Sequence, residues 1–129
     1  MTLAPITQDT QCVTIYLNVA RDGFGAPTGM RDGYKAGDEL RMAFRLPLTD
    51  EESRTPAMKL AEKVYHLLNV GDDPAYGTPD DRAVAYRMAL MRSLSVGDVI
   101  EINGAYLAVA GMGFAAVDAP KEDAISMPW

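Results

Sequence analysis

Along residues 39–48 the apolar and polar positions alternate. Leu40, Met42, Phe44 and Leu46 fall on one side, and Arg41, Ala43 and Arg45 on the other. A period of two puts successive side chains on opposite faces of a strand. The stretch therefore predicts a half-buried strand with a basic outer face, ended by Pro47. Residues 11–20 predict a second strand, with Val13, Ile15 and Leu17 opposite Cys12, Thr14, Tyr16 and Asn18. Near the C-terminus, Val99, Ile100 and Ile102 are β-branched and lead into Asn103-Gly104. That dipeptide suits the two positive φ values of a type I′ hairpin turn. The return run 105–110 has Tyr106, Ala108 and Ala110 on one face and Leu107 and Val109 on the other. Neither face is polar, so this strand should be covered on both sides. Ser95-Val96-Gly97-Asp98 reads as the turn feeding the hairpin. Gly111-Met112-Gly113 permits a bulge or bend, after which Phe114 returns to the core.

Between the two pairs of strands the period changes to that of helices. Thr55 as N-cap and Pro56 at the first helical position open one, with Leu60, Val64, Leu67 and Leu68 as its buried stripe. Gly71 ends it, and Asn69 is also available for a left-handed turn. Thr78-Pro79-Asp80-Asp81 opens another, with Thr78 as cap and acids in the first turn. Val84, Met88 and Met91 then fall near one face, with Leu90 beside them. The fold class is α+β: a small antiparallel sheet, made of an N-terminal strand pair and a C-terminal hairpin, packed with two helices. Residues 1–10 read as a flexible arm, 11–118 as one domain, and 119–129 as a tail.

The run Ser93-Leu-Ser-Val-Gly-Asp-Val99, followed by a hydrophobic hairpin containing Tyr106 and then by Gly113-Phe114, resembles the C-terminal signature of the YodL-like domain family. Ala108 and Ala110 stand where that family often has Cys or Asp and Ser. Residues 60–74 are similar to the family's helix, aromatic-Asn turn and acidic Pro loop. Cys12-Val-Thr-Ile-Tyr-Leu17 resembles its opening strand. The resemblance spans roughly residues 11–117. It implies a compact α+β fold in a protein of bacterial plasmids, integrated elements or phages, and implies no particular activity.

Composition narrows the class of protein. A chain of 129 residues, 48% hydrophobic and 23% charged, is long enough for one domain with a real core. No apolar run approaches the roughly 20 residues needed to span a bilayer, and Met-Thr-Leu-Ala-Pro does not open a signal peptide. Cys12 is the only cysteine, which excludes an intramolecular disulfide and fits a cytoplasmic protein. A net charge of −6 argues against direct nucleic-acid binding, which needs clustered Lys and Arg to displace counterions. Arg82, Arg87 and Arg92 are spaced by five and share no strict helical face. Asp50-Glu51-Glu52, Asp72-Asp73, Asp80-Asp81 and Asp118 with Glu122-Asp123 could imitate nucleic acid. Solvated loops and helix N-termini are the plainer reading of these acids.

Candidate chemistry is sparse. His66 with Glu62 one turn earlier could form an acid–base pair or half a metal site, but a metal needs at least three ligands. Cys12 reads as a small packed hydrophobe rather than a nucleophile. The Gly-rich residues 21–38 lack both phosphate-loop spacings and precede a strand, not a helix. They read instead as a mobile or partner-docking loop, with Phe24, Met30 and Tyr34 exposed. Met88, Met91 and Met112 read as core filler. Met127 and Trp129 either pack on the domain or offer an anchor to a partner or a second copy.

The expectation is therefore a non-enzymatic, protein-binding accessory protein of a phage or mobile element, with no cofactor and no metal. Its target would be a host or defence protein such as a restriction or CRISPR effector, and the tail would offer a route to a homodimer. The alternative is a small enzyme with a site near Ser95, Asp98 and Tyr106. Ser93, Ser95, Gly97, Asp98, Asn103, Gly104 and Gly113 read as structural, with Asp98→Ala costing ~1 kcal/mol, the scale of one lost turn bond.

Overall fold

A computed structural model of the chain describes residues 11–127, so the arm at 1–10 and Trp129 lie outside it. In chain order it contains β1 (Cys12–Asn18), α1 (Thr28–Asp32), β2 (Leu40–Pro47), α2 (Asp50–Ser53), α3 (Ala57–Val70) and α4 (Asp81–Met88). These are followed by β3 (Val99–Ile102), β4 (Ala105–Val109), β5 (Phe114–Val117) and β6 (Ile125–Ser126). Single 3-10 turns lie at Pro74–Tyr76 and Glu122–Ala124. The class is α+β, but the sheet is larger than the sequence pattern implies. Six strands run in the order β5-β4-β3-β1-β2-β6. It is not wholly antiparallel either, because β6 pairs parallel to β2 through Leu40↔Ile125 and Arg41↔Ser126. A two-residue strand carries no periodic signal, so residues read as a separate tail in fact complete the sheet.

The described residues divide into two compact units. One comprises residues 13–45 and 95–127. Its register is antiparallel at β1–β3, β3–β4 and β4–β5. Directly opposed residues share a face. Tyr16↔Val99↔Ala108 therefore lie on one side, and Ile15↔Ile100↔Leu107 on the other. All six are buried, as expected for strands covered on both faces. Tyr16, Val99 and Ala108 join Leu40 in one cluster, against which Tyr34, Met42, Tyr106, Val117 and Ile125 pack. On β2 the alternation is blurred. Ala43 is buried while Met42 and Phe44 are only half-buried, and Arg45 alone is exposed. The face expected to be basic and open is therefore covered at Ala43 and exposed at Arg45.

The other unit comprises Leu46–Leu94 together with Gln11 and Cys12. In α3 the buried residues are Leu60, Val64, Leu67 and Leu68, the stripe read from the sequence, together with Ala61. Its start differs. The Thr55 hydroxyl donates to the Glu51 carbonyl at 2.9 Å, and Pro56 occupies the N-cap position without a side-chain bond. The capping threonine is Thr49, which forms a capping box with Glu52 and supports the short α2. Asp80, not Thr78, caps α4 by accepting from the Arg82 amide at 2.8 Å. Within α4, Ala83 and Tyr86 are buried, and Met88 is exposed rather than core. Met88 lies opposite the Ala83–Tyr86 face that α4 buries, and Leu90, beyond the helix at φ 63°, does not follow helical spacing. Asn69 makes no left-handed turn. It clasps the Leu94 backbone, its Oδ1 accepting at 2.6 Å and its Nδ2 donating at 3.1 Å. Among the described residues, no helix is long and apolar enough to cross a membrane.

Candidate functional site

Residues 21–38 are Gly-rich and suggest a loose loop, yet they are ordered by a small set of carboxylates. Asp22 builds the tip. Its Oδ1 accepts from the amides of Phe24 at 2.8 Å and Ala26 at 3.0 Å, while its own amide donates to the Ala26 carbonyl at 2.9 Å. Short polar side chains form such turns because they reach backbone amides two residues on. These amides, more than the Arg31 guanidinium at 3.2 Å, hold the Asp22 carboxyl below its ordinary range. Arg21 pairs with Pro27 across the base, and the Thr28 amide donates to Ala20 at 3.1 Å. The result is a miniature hairpin with Phe24 at its tip, 98% exposed. Met30 follows on α1 and is also exposed. Tyr34 is not: it is half-buried and packs against the sheet cluster.

A polar hub fastens the segment to the sheet. Asn18 ends β1 with its side chain buried. Its Nδ2 donates to Asp38 Oδ2 at 3.1 Å and to the Gly97 carbonyl at 3.0 Å, and its Oδ1 accepts from Ala20 at 3.0 Å. Asp38 Oδ2 also accepts from the Lys35 amide at 3.0 Å. Asp98 is fully buried and completes the hub, with Oδ1 taking the Asn18 amide at 2.7 Å and Oδ2 the Ser95 amide at 2.8 Å. Two glycines make room for it. A Cβ on Gly29 would lie 2.6 Å from Asn18, and one on Gly97 would lie 2.7 Å from the Gly29 backbone. Gly97 also has φ +95°, which side-chain-bearing residues rarely adopt.

No family model matches the chain, and no curated protein or solved structure matches it. Function must therefore be read from the side chains themselves.

The remaining sequence candidates are dispersed. Ser93 accepts from Arg87 Nη2 at 3.1 Å in the helical unit. Tyr106 lies on β4, 6.3 Å from the Tyr16 ring and packed on the same cluster. Asp98 is buried with both oxygens on backbone amides, a geometry that ties the turn before β3 to the end of β1. Asn103 and Gly104 take the positive φ values of the hairpin turn, 51° and 84°, and Gly113 bends the chain at 70° into β5. Met112 is exposed, not core, because that bend turns it outward. Met127 is exposed beyond β6. His66 is exposed and meets the Tyr76 ring edge-on at 6.2 Å. Among the described residues, no three His, Cys, Asp or Glu side chains gather to hold a metal.

Two open depressions border the Gly-rich segment. One of ≈ 600 Å³ is lined by Arg21, Thr28, Arg31, Lys35, Asp38 and Glu39. Two of its cations are matched by carboxylates, Arg31 on Asp22 and Asp32 and Lys35 near Asp32, while Arg21 donates to the Gly25 carbonyl at 2.9 Å. The other, ≈ 430 Å³, lies between Tyr34, Ala36, Val117 and Pro120.

The sequence reading missed Asn18, Asp22 and the ion cluster of the helical unit. In that cluster Glu52 is buried and bound by Arg82 and by Lys63 at 3.0 Å, while Arg82 also reaches Asp80 at 2.9 Å and the Pro47 carbonyl at 2.8 Å. Burial raises the Glu52 pKa, but the Arg82, Thr49 and Lys63 bonds outweigh it and bring the value to about 2. A usable signal existed for Asp22, since Asp-Gly-Phe-Gly is turn chemistry. None existed for Glu52–Arg82, which are 30 residues apart in sequence.

Proposed function

We propose that this protein acts without catalysis, by occupying a surface on another protein, with Phe24 as the principal anchor and the exposed Met30 on α1 as a second contact. The observation that carries the reading is the 98% exposure of Phe24 at the tip of a turn held by Asp22. A large aromatic left in water forgoes its burial free energy in the free protein and regains it only on association. Fixing the turn in advance lowers the ordering cost of binding, and aromatic side chains seated in a pocket dominate many interfaces.

The resemblance to the YodL-like family places the proposal in the setting of a phage or mobile element. There the target would be a host or defence protein, such as a restriction or CRISPR effector. The net charge of −6 favours a protein target over the nucleic acid that such machines handle.

The test is affinity capture from a bacterial lysate with wild-type protein and with Phe24→Ala, read by mass spectrometry. Retention of a small set of proteins by the wild type and its loss in the variant, at equal thermal stability, supports the reading. Equal retention by both, or tight binding of duplex DNA by the pure protein, overturns it.

A further inference from the structure

The β3–β4 hairpin carries a chemical liability that its own fold restrains. Asn103 and Gly104 are both exposed at the two-residue turn that closes Ile102↔Ala105. In an Asn-Gly pair the amide nitrogen of the glycine can attack the asparagine side-chain carbonyl, because glycine offers no Cβ to obstruct the ring. In this turn that nitrogen is engaged: the Gly104 N–H donates to Glu101 Oε1 at 2.9 Å.

The geometry points to Asn103-Gly104 as a self-modification site, a succinimide-forming pair that Glu101 holds in check. In the reaction a bond forms between Gly104 N and Asn103 Cγ, and the Cγ–Nδ2 bond breaks. Ammonia leaves, carrying the proton lost by the Gly104 amide. Water then opens the imide at either carbonyl, giving aspartate or isoaspartate.

Two features of the turn oppose the first step. The nitrogen must lose its proton to attack, and an anionic carboxylate hydrogen-bonded to that proton disfavours a second negative charge beside it. The paired positive φ values, 51° and 84°, also fix the backbone in a turn that cyclisation must leave.

The two products differ in consequence. Aspartate keeps the main-chain length and tolerates positive φ at residue 103. Isoaspartate inserts an extra carbon into the main chain at a turn whose length fixes the register of Val99↔Ala108 and Ile100↔Leu107. Because Val99 and Ala108 belong to the sheet cluster, that product disturbs the core as well as the tip.

The experiment incubates full-length protein at mildly alkaline pH. Conversion at residue 103 is followed by peptide mass spectrometry, with isoaspartate distinguished from aspartate by electron-transfer fragmentation. Wild type is compared with Glu101→Gln, which removes the charge and keeps an acceptor, with Glu101→Ala, and with wild type unfolded in urea. The expected order of rates is wild type slowest, Glu101→Gln several-fold faster, Glu101→Ala faster again, and the unfolded chain fastest. Hydrogen exchange at the β3–β4 amides controls for a loosened hairpin. A Glu101→Gln rate equal to wild type with unchanged exchange overturns the role of Glu101. A folded wild-type rate equal to that of the unfolded chain overturns the restraint altogether.

Discussion

The backbone amide of Asn18 donates to Asp98 Oδ1 at 2.7 Å, joining the end of β1 to the turn before β3 across 80 positions of sequence. The same carboxylate takes the Ser95 amide on its other oxygen. One buried side chain therefore satisfies two backbone donors, the Asn18 amide in a buried bond and the Ser95 amide in a part-buried one.

Asp98→Ala strands both amides. The expected loss is about 2–3 kcal/mol, mostly from the buried Asn18 donor at ~1–3 kcal/mol, with a smaller share from the part-buried Ser95 amide. That exceeds the ~1 kcal/mol inferred from a single turn bond. Chemical denaturation measures it, and a loss below ~1 kcal/mol would mean that water replaces the carboxylate.

The fit of Gly97 against Gly29 makes a second prediction. Gly97→Ala places a methyl 2.7 Å from the Gly29 backbone at φ +95°, whereas Gly23→Ala meets nothing within 4 Å. Gly97→Ala should cost more than about 2 kcal/mol and loosen residues 21–38. Gly23→Ala should be near neutral. Hydrogen exchange at Phe24 and Ala26 distinguishes the two, and equal protection in both variants contradicts the hub.

Acid should weaken the helical unit through Glu52. Its folded pKa of about 2 lies below the ordinary 4.5, so the unfolded chain binds the proton more tightly. The stabilisation is complete above about pH 4.5 and disappears as pH falls toward 2. The shift corresponds to about 3 kcal/mol. Glu52→Gln should lower stability at neutral pH and flatten the loss between those values. An acid limb as steep as that of the wild type would assign the loss to other carboxylates.

Leu90 stands at φ 63° with its side chain 91% exposed, so it bears backbone strain with little burial in return. Asparagine is more at ease in that conformation. Leu90→Asn should therefore stabilise the fold by about 0.5–1 kcal/mol, seen as a raised Tm. A lowered Tm would show that the leucine contributes more through contacts than its backbone costs.

Much of the architecture was legible in the residues. Periodicity located β1, β2, the β3–β4 hairpin and the buried stripe of α3, because a helix or strand half in a core must repeat its apolar positions. Asn103-Gly104 specified its own turn, since few other pairs accept two positive φ values. The tertiary structure decided the rest. Strand β6 is a strand only because Leu40 and Arg41 offer it an edge. Tyr34 is half-buried only because the sheet cluster lies beneath it. Met88 is exposed because α4 buries its Ala83–Tyr86 face, and Leu90 because α4 has stopped and the chain turns at φ 63°. Asn18 was an unremarked polar residue at a strand end. It becomes the hub because Asp38 and Gly97, 20 and 79 residues away, arrive at its amide together. Local sequence encodes local periodicity and turn chemistry, whereas a bond between distant residues exists only once packing has brought them within reach.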